Sequence, residues 1–140
     1  MRRVFIDTSA YVALTDRSDQ FYTAAGESLQ RLLNLHLPQV TTNLVLAETY
    51  TRIRRKLGHA AAVRFGEGIQ RLVGTPTFRV VYVDVSLDEE AWGIFARYAD
   101  QEFSYVDCTS FAWLRRHQEV EVFAFDEDFT WMGFTAFPGS

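Results

Sequence analysis

Four acids stand where a folded chain could gather them. Asp7 ends the apolar run Val4-Phe5-Ile6, and Asp126 ends the run from Val120 to Phe125. Glu48 lies early in a stretch with helical spacing, and Asp107 lies three residues after Ser104. Carboxylates held close together repel one another, so such a cluster makes physical sense around bound cations. A ligand set made of carboxylate oxygens suits a hard divalent ion, Mg²⁺ or Mn²⁺. Each acid also has a plainer reading. Asp7 would cap the helix that follows it, Asp107 would complete a capping box with Ser104, and Glu48 would pair with Arg52 one turn on. Asp126 would open a turn with Glu127 and Asp128.

The elements that carry these acids decide between the readings. Val4-Phe5-Ile6 is apolar without alternation, as in a strand buried on both faces. A helix through Ala10 to Leu14 follows, with Thr8 or Ser9 as its cap. After a loop at Asp16-Arg17-Ser18-Asp19, a second helix runs from about Phe21 to Leu35, and Gln39 to Thr42 forms a short strand. Asn43 is placed to cap a third helix, Leu44 to Leu57, which Gly58 closes. On that helix Leu46, Tyr50, Ile53 and Leu57 share one stripe, with Glu48 roughly opposite. A fourth helix spans about Ala60 to Val73, and Phe78 to Val83 is a β-branched strand. Ser86-Leu87-Asp88-Glu89 reads as a capping box opening a helix to about Ala99, and Ser104 opens another to about His117. Val120 to Phe125 is the next strand, and a terminal strand is expected near Phe134 to Phe137. Strands alternating with helices predict an α/β fold, a three-layer sandwich whose central, mostly parallel sheet has four to five strands. Strand ends and the following helix N-termini share one rim of such a sheet, so all four acids can meet there. No linker or repeat divides residues 1–140, which read as one domain.

Other chemistries find little support. His36, His59 and His117 are scattered, and Cys108 has no nearby histidine and sits among apolar residues. A single cysteine allows no internal disulfide and fits a reducing cytoplasm. Neither a dinucleotide fingerprint nor a phosphate-binding P-loop occurs. Aspartyl-phosphate chemistry wants a second acid two residues after the first, where Ser9 stands. No run approaches the roughly 20 apolar residues of a membrane span, and the N-terminal arginines precede no signal-peptide core. Net charge is −4 and the pI is near 5.3, with Lys56 the only lysine. One or two divalent ions would cancel much of that charge, so a phosphate-rich substrate stays compatible with it.

The segments Val4 to Ser9, Asn43 to Thr49, Ser104 to Ala112 and Phe123 to Phe129, in this order and spacing, resemble the PIN-domain family. The likeness is greatest to the VapC-type toxins of toxin–antitoxin pairs, and Gly133-Phe134 before Pro138 fits it too. The resemblance implies a ribonuclease dependent on Mg²⁺ or Mn²⁺, with a flavodoxin-like sheet. By it, Asp7, Glu48, Asp107 and Asp126 are the catalytic, metal-binding acids and Asp128 is an auxiliary ligand, with the choice between Asp126 and Asp128 open. Ser9 would support Asp7, with Thr8 and Thr109 as further supporting hydroxyls. Arg52, Arg54, Arg55, Lys56, Arg115 and Arg116 would meet the RNA backbone, or would be ordinary solvated helix faces. The family also implies a cognate antitoxin whose C-terminal segment occupies a groove by the active site, and a homodimer. Side chains of the second and fourth helices would line that groove or the dimer contact. A PIN nuclease of RNA processing and a non-catalytic RNA- or protein-binding module are the alternatives.

Overall fold

The structure, a computed structural model, describes residues 2–139. Strand β1 (Val4–Ile6) is wholly buried because it lies inside the sheet, paired in parallel on both sides. The chain leaves it through helices α1 (Thr8–Thr15) and α2 (Tyr22–Asn34) to reach β2 (Gln39–Thr42). Helices α3 (Asn43–Leu57) and α4 (His59–Val73) then lead to β3 (Phe78–Val81). From there α5 (Val85–Arg97) and α6 (Tyr105–Arg115) return the chain to β4 (Glu121–Phe123), and the short α7 (Asp128–Trp131) follows. The strand order is β3-β2-β1-β4, all parallel. Val4 pairs with Gln39 on one side and with Glu121 on the other. This is the expected α/β sandwich. The order reverses at β1, so the crevice beyond the ends of β1 and β4 is the switch point where open α/β sheets hold ligands.

Several local expectations are corrected. Asp7 itself, rather than Thr8 or Ser9, caps α1 by accepting from Ser9 N. Thr42, not Asn43, caps α3, with its hydroxyl accepting from Val45 N. Asn43 accepts instead from Val83 N at 2.8 Å and ties down the chain leaving β3. Asp84 caps α5 through Leu87 N, which displaces the capping box expected at Ser86. A carboxylate on extended backbone is a strong acceptor for free N–H groups at a helix start. The box at Ser104 and Asp107 is present in both halves. The terminal strand shrinks to a single bridge, Ala136 to Val122, since β4 offers only three residues and Pro138 has no N–H. Helix α7 was not anticipated. Its end carries the paired bonds of a Schellman motif, Gly133 N to Thr130 O and Phe134 N to Phe129 O, with Gly133 at φ +93°.

The core gathers around α6, which is buried from Asp107 to Leu114. Phe111 meets Phe103, Phe129 and Phe134, and Trp113 stacks on Phe5 at 5.7 Å. Helix α4 is peripheral, with Ile69 its buried residue. On α3, Leu46 and Ile53 are buried, Tyr50 is half-buried, and Leu57 at the hairpin end stays exposed. Among the described residues, no helix is long and apolar enough to cross a membrane.

Phe111→Ala would empty the centre of this aromatic packing and should cost about 3–5 kcal/mol. Val63→Ala on the exposed side of α4 should stay within about 0.5 kcal/mol. Urea unfolding midpoints compare the two, and equal effects would contradict this placement of the core.

Candidate metal centre

Asp7 leaves β1 almost fully buried, yet its two oxygens fare differently. Oδ2 accepts from Ser9 N at 3.1 Å and from Ser9 Oγ at 2.7 Å. Ser9 Oγ in turn accepts from Phe125 N at 2.9 Å, so one hydroxyl joins the exits of β1 and β4. Oδ1 is buried and, among the described residues, has no hydrogen-bond partner. Burial pushes the Asp7 carboxyl up to about 6, against the pull of Ser9. An ionised oxygen buried without a partner is costly, which makes Oδ1 a place for a cation.

Asp107 faces the same crevice from the first turn of α6. Its Oδ2 accepts from Ser104 N at 3.1 Å. Burial first, and then the charges of Asp7, Asp126 and Glu48, push its carboxyl up to about 7. The capping reading of Asp107 therefore holds, and it does not compete with a role at the rim. Oxygens of Asp107, Asp126 and Asp128 lie within 4.8 Å of one another. Asp126 Oδ1 also accepts from Asp128 N at 2.9 Å. Burial and the Asp126 charge raise the Asp128 carboxyl. Asp7 and Glu48 stand outside that tight triplet but close enough for their charges to act on Asp107. Glu48 is half-buried on the second turn of α3. Five carboxylates with, among the described residues, no cationic side chain bonded to them fit a divalent ion in donor type and in charge.

Among the expected supporting hydroxyls, Ser9 bonds Asp7. Thr8 Oγ1 donates to Val45 O and accepts from Thr49 Oγ1, which locks α1 to α3. Thr109 Oγ1 donates to Val106 O within α6. Of the basic residues, Arg52, Arg54 and Arg55 are exposed on α3. Lys56 reaches Asp16 at 2.7 Å, and Arg116 binds Glu90 and Ser86. Arg115 sits at the opposite end of α6 from Asp107, about 12 Å along the axis.

Sequence reasoning passed over Asp16. It is only 2% exposed and accepts from Ser18 N and Ser18 Oγ at 2.9 and 2.7 Å. Lys56 and Ser18 together hold its carboxyl down at about 2. The signal was present in the chain: Asp16-Arg17-Ser18 repeats the Asp-x-Ser spacing of Asp7-Thr8-Ser9.

Raised carboxyls give this centre a defined pH dependence. Asp7 moves from 3.8 to about 6 on folding and Asp107 from 3.8 to about 7. The folded protein thus holds more protons than the unfolded chain between those values, and stability falls as pH rises through that window. At 1.36 kcal/mol per unit, Asp7 alone accounts for something on the order of 3 kcal/mol. In EDTA the melting temperature should drop between pH 5 and pH 8, with Mn²⁺ restoring it at pH 8 and doing little at pH 5. Asp7→Asn should shrink the drop and leave the share of Asp107, whose carboxyl lies higher at about 7. A wild-type profile in EDTA that is level or rises over this range would contradict the electrostatic picture.

The model of the PIN domain matches residues 4–134. The chain is 39% identical over 132 residues to the 23S rRNA-specific endonuclease VapC20 of Mycobacterium tuberculosis, covering 94% of this chain and 95% of that protein. The same likeness is found to VapC20 of two strains, CDC 1551 and H37Rv. The crystal structure of M. tuberculosis VapC20, described as a sarcin-ricin loop cleaving toxin, superposes with a TM-score of 0.79 at 37% identity. That match covers 94% of this chain and 96% of the other. Buried acids at the β1/β4 switch point, the strand order and both comparisons agree: the chain belongs to the PIN-domain family and is of the VapC type.

Proposed function

We propose that residues 1–140 act as one PIN unit, an endoribonuclease that hydrolyses RNA phosphodiesters with Mg²⁺ or Mn²⁺ and serves as the toxin of a toxin–antitoxin pair. One observation carries the reading: Asp7 Oδ1 is buried without a partner where Asp107, Asp126 and Glu48 converge by charge. Asp7, Asp107 and Asp126 would hold the ion, with Glu48 and Asp128 completing its shell. Bound there, the ion would lower the pKa of an attacking water, orient it in line and offset charge at phosphorus.

The chain's own residues supply rigidity and position. Ser9 fixes one Asp7 oxygen and leaves the other aimed at its ligand. The Ser104 box sets the Asp107 rotamer. Asp126 is held to α7 through Asp128 N, and the stacked rings of Phe21 and Phe125, 4.6 Å apart, steady the loop that carries it. The one cysteine does not compete with water as nucleophile. Cys108 is buried, and burial pushes its thiol up to about 11.

The 23S rRNA specificity of VapC20 supports large-subunit ribosomal RNA as the substrate, which would place the protein in the cytoplasm. An apolar cavity of about 250 Å³, lined by Tyr11, Leu14, Leu29, Phe65, Ile69 and Leu72, supports docking of an antitoxin segment between α2 and α4. Exposed Tyr82, Val85 and Trp92 support self-association as a dimer.

Purified protein should cut ribosomal RNA in Mn²⁺ or Mg²⁺ and stop in EDTA. Asp7→Asn should abolish cleavage while keeping a cooperative melt. Ser9→Ala, which leaves the ligands in place, should lower activity or metal affinity about 10–100-fold. Cleavage that persists in both EDTA and Asp7→Asn would remove this reading. Intact RNA with tight RNA binding would favour the non-catalytic module.

A further inference from the structure

Between Glu48 and Glu67 the chain has no acid and five cations, Arg52, Arg54, Arg55, Lys56 and Arg64, in a protein of net charge −4. The fold turns this stretch into the α3–α4 hairpin and packs α3 against α1. Where α1 ends, a cleft of about 680 Å³ opens, walled by Asp16, Arg17, Ser18, Leu57, Arg64 and Phe65. It shares no lining residue with the acidic centre. Its base is firmly built. Asp16 is 2% exposed, takes both Ser18 donors on Oδ1, and meets Lys56 Nζ at 2.7 Å on Oδ2. That pairing neutralises Asp16 and Lys56 together.

Arg17 and Arg64 remain. Both are exposed and, among the described residues, neither joins an ion pair. Both guanidinium groups line the same cleft. Their forked donors match phosphate oxygens in pairs, and a phosphodiester supplies one such charge. The cleft is also aligned with the acids. Helices α1 and α3 both start at the acidic rim, and Asp16 lies about 13 Å along the chain direction from Asp7. Arg52 is exposed one turn beyond Glu48, and its charge is felt at Lys56. Cations therefore continue from the rim toward the cleft over a distance of a few nucleotides.

We propose that this cleft is a second backbone-phosphate subsite, in which Arg17 and Arg64 together grip one phosphodiester of the RNA a few nucleotides from the bond that is cut. The proposal rests on the ribonuclease reading for the identity of its ligand. Lys56 is a positioning residue here, holding the loop that carries Arg17 against α3 through Asp16.

The test compares the wild type with the Arg17→Ala/Arg64→Ala double variant on two RNAs in Mn²⁺. One is a long stem-loop, and the other is a short oligonucleotide spanning only the cut bond. The ratio of kcat/KM on long over short RNA should fall about tenfold or more in the variant, the usual worth of charge-assisted bonds. In EDTA, anisotropy of the labelled long RNA across a KCl series should show the salt slope smaller by about 0.7–0.9, one phosphate contact. Thermal melts should coincide, since both arginines are exposed. An unchanged ratio and an unchanged slope would overturn the subsite. The same RNA behaviour, combined with lost binding of the protein encoded beside this gene, would assign the cleft to that partner and also overturn it. If the wild type cuts neither RNA, the ribonuclease reading fails, while the anisotropy series still decides the subsite.

Discussion

One buried carboxylate constrains most of this molecule. Asp7 sits where a central strand ends, with one oxygen satisfied by Ser9 and the other left without a partner. A buried charge in that condition is tolerated only if the surrounding structure is stable enough to hold it. The scaffold provides that stability in plain ways. Strand β1 is flanked on both sides, α6 is buried along most of its length, and aromatic rings fill the space between α6 and α7.

The hydrogen bonds that hold Asp7 also hold the fold. Ser9 Oγ receives Phe125 N and donates to Asp7, so the exits of β1 and β4 are joined at the point where the acids meet. Thr8, the residue between them, turns the other way and ties α1 to α3 through Val45 O and Thr49. Three consecutive residues thus set an acid, fasten a strand exit and seat a helix. Asp107 shows the same economy, as cap and rim acid at once. A cap places a carboxylate at the N-terminus of a helix, and in a parallel sheet that is the ligand-binding rim, so the two roles share one geometry.

Charge is divided in space as well as in sequence. Acids gather at the sheet's carboxyl edge, whereas the part of the α3–α4 hairpin between Glu48 and Glu67 carries five cations and no acid. A net charge of −4 conceals this division. For a polyanionic substrate it matters: the acidic edge repels phosphate until a cation is present, and the basic hairpin attracts it throughout.

The order of elements, the parallel sheet and the acids at strand ends were legible in the chain, because they depend on local runs of apolar residues and on short-range caps. The Val4-Phe5-Ile6-Asp7 stretch and the Ser104 box could be read without knowing their neighbours. Other features depended on competition that only packing resolves. Thr42 and Asp84 displaced Asn43 and Ser86 as caps, since the exits of β2 and β3 decided which oxygen reached the free N–H groups. Whether Asp128 joins Asp107 and Asp126 depended on α7, a single turn whose only local mark is Gly133. Asp16 and Lys56 look like loop and helix surface in sequence; Asp16 becomes buried and is met by the still exposed Lys56 only because α1 ends against α3. Local chemistry set the types of residue and where elements begin; which oxygens meet was decided by tertiary structure, since that depends on distances between segments far apart in the chain.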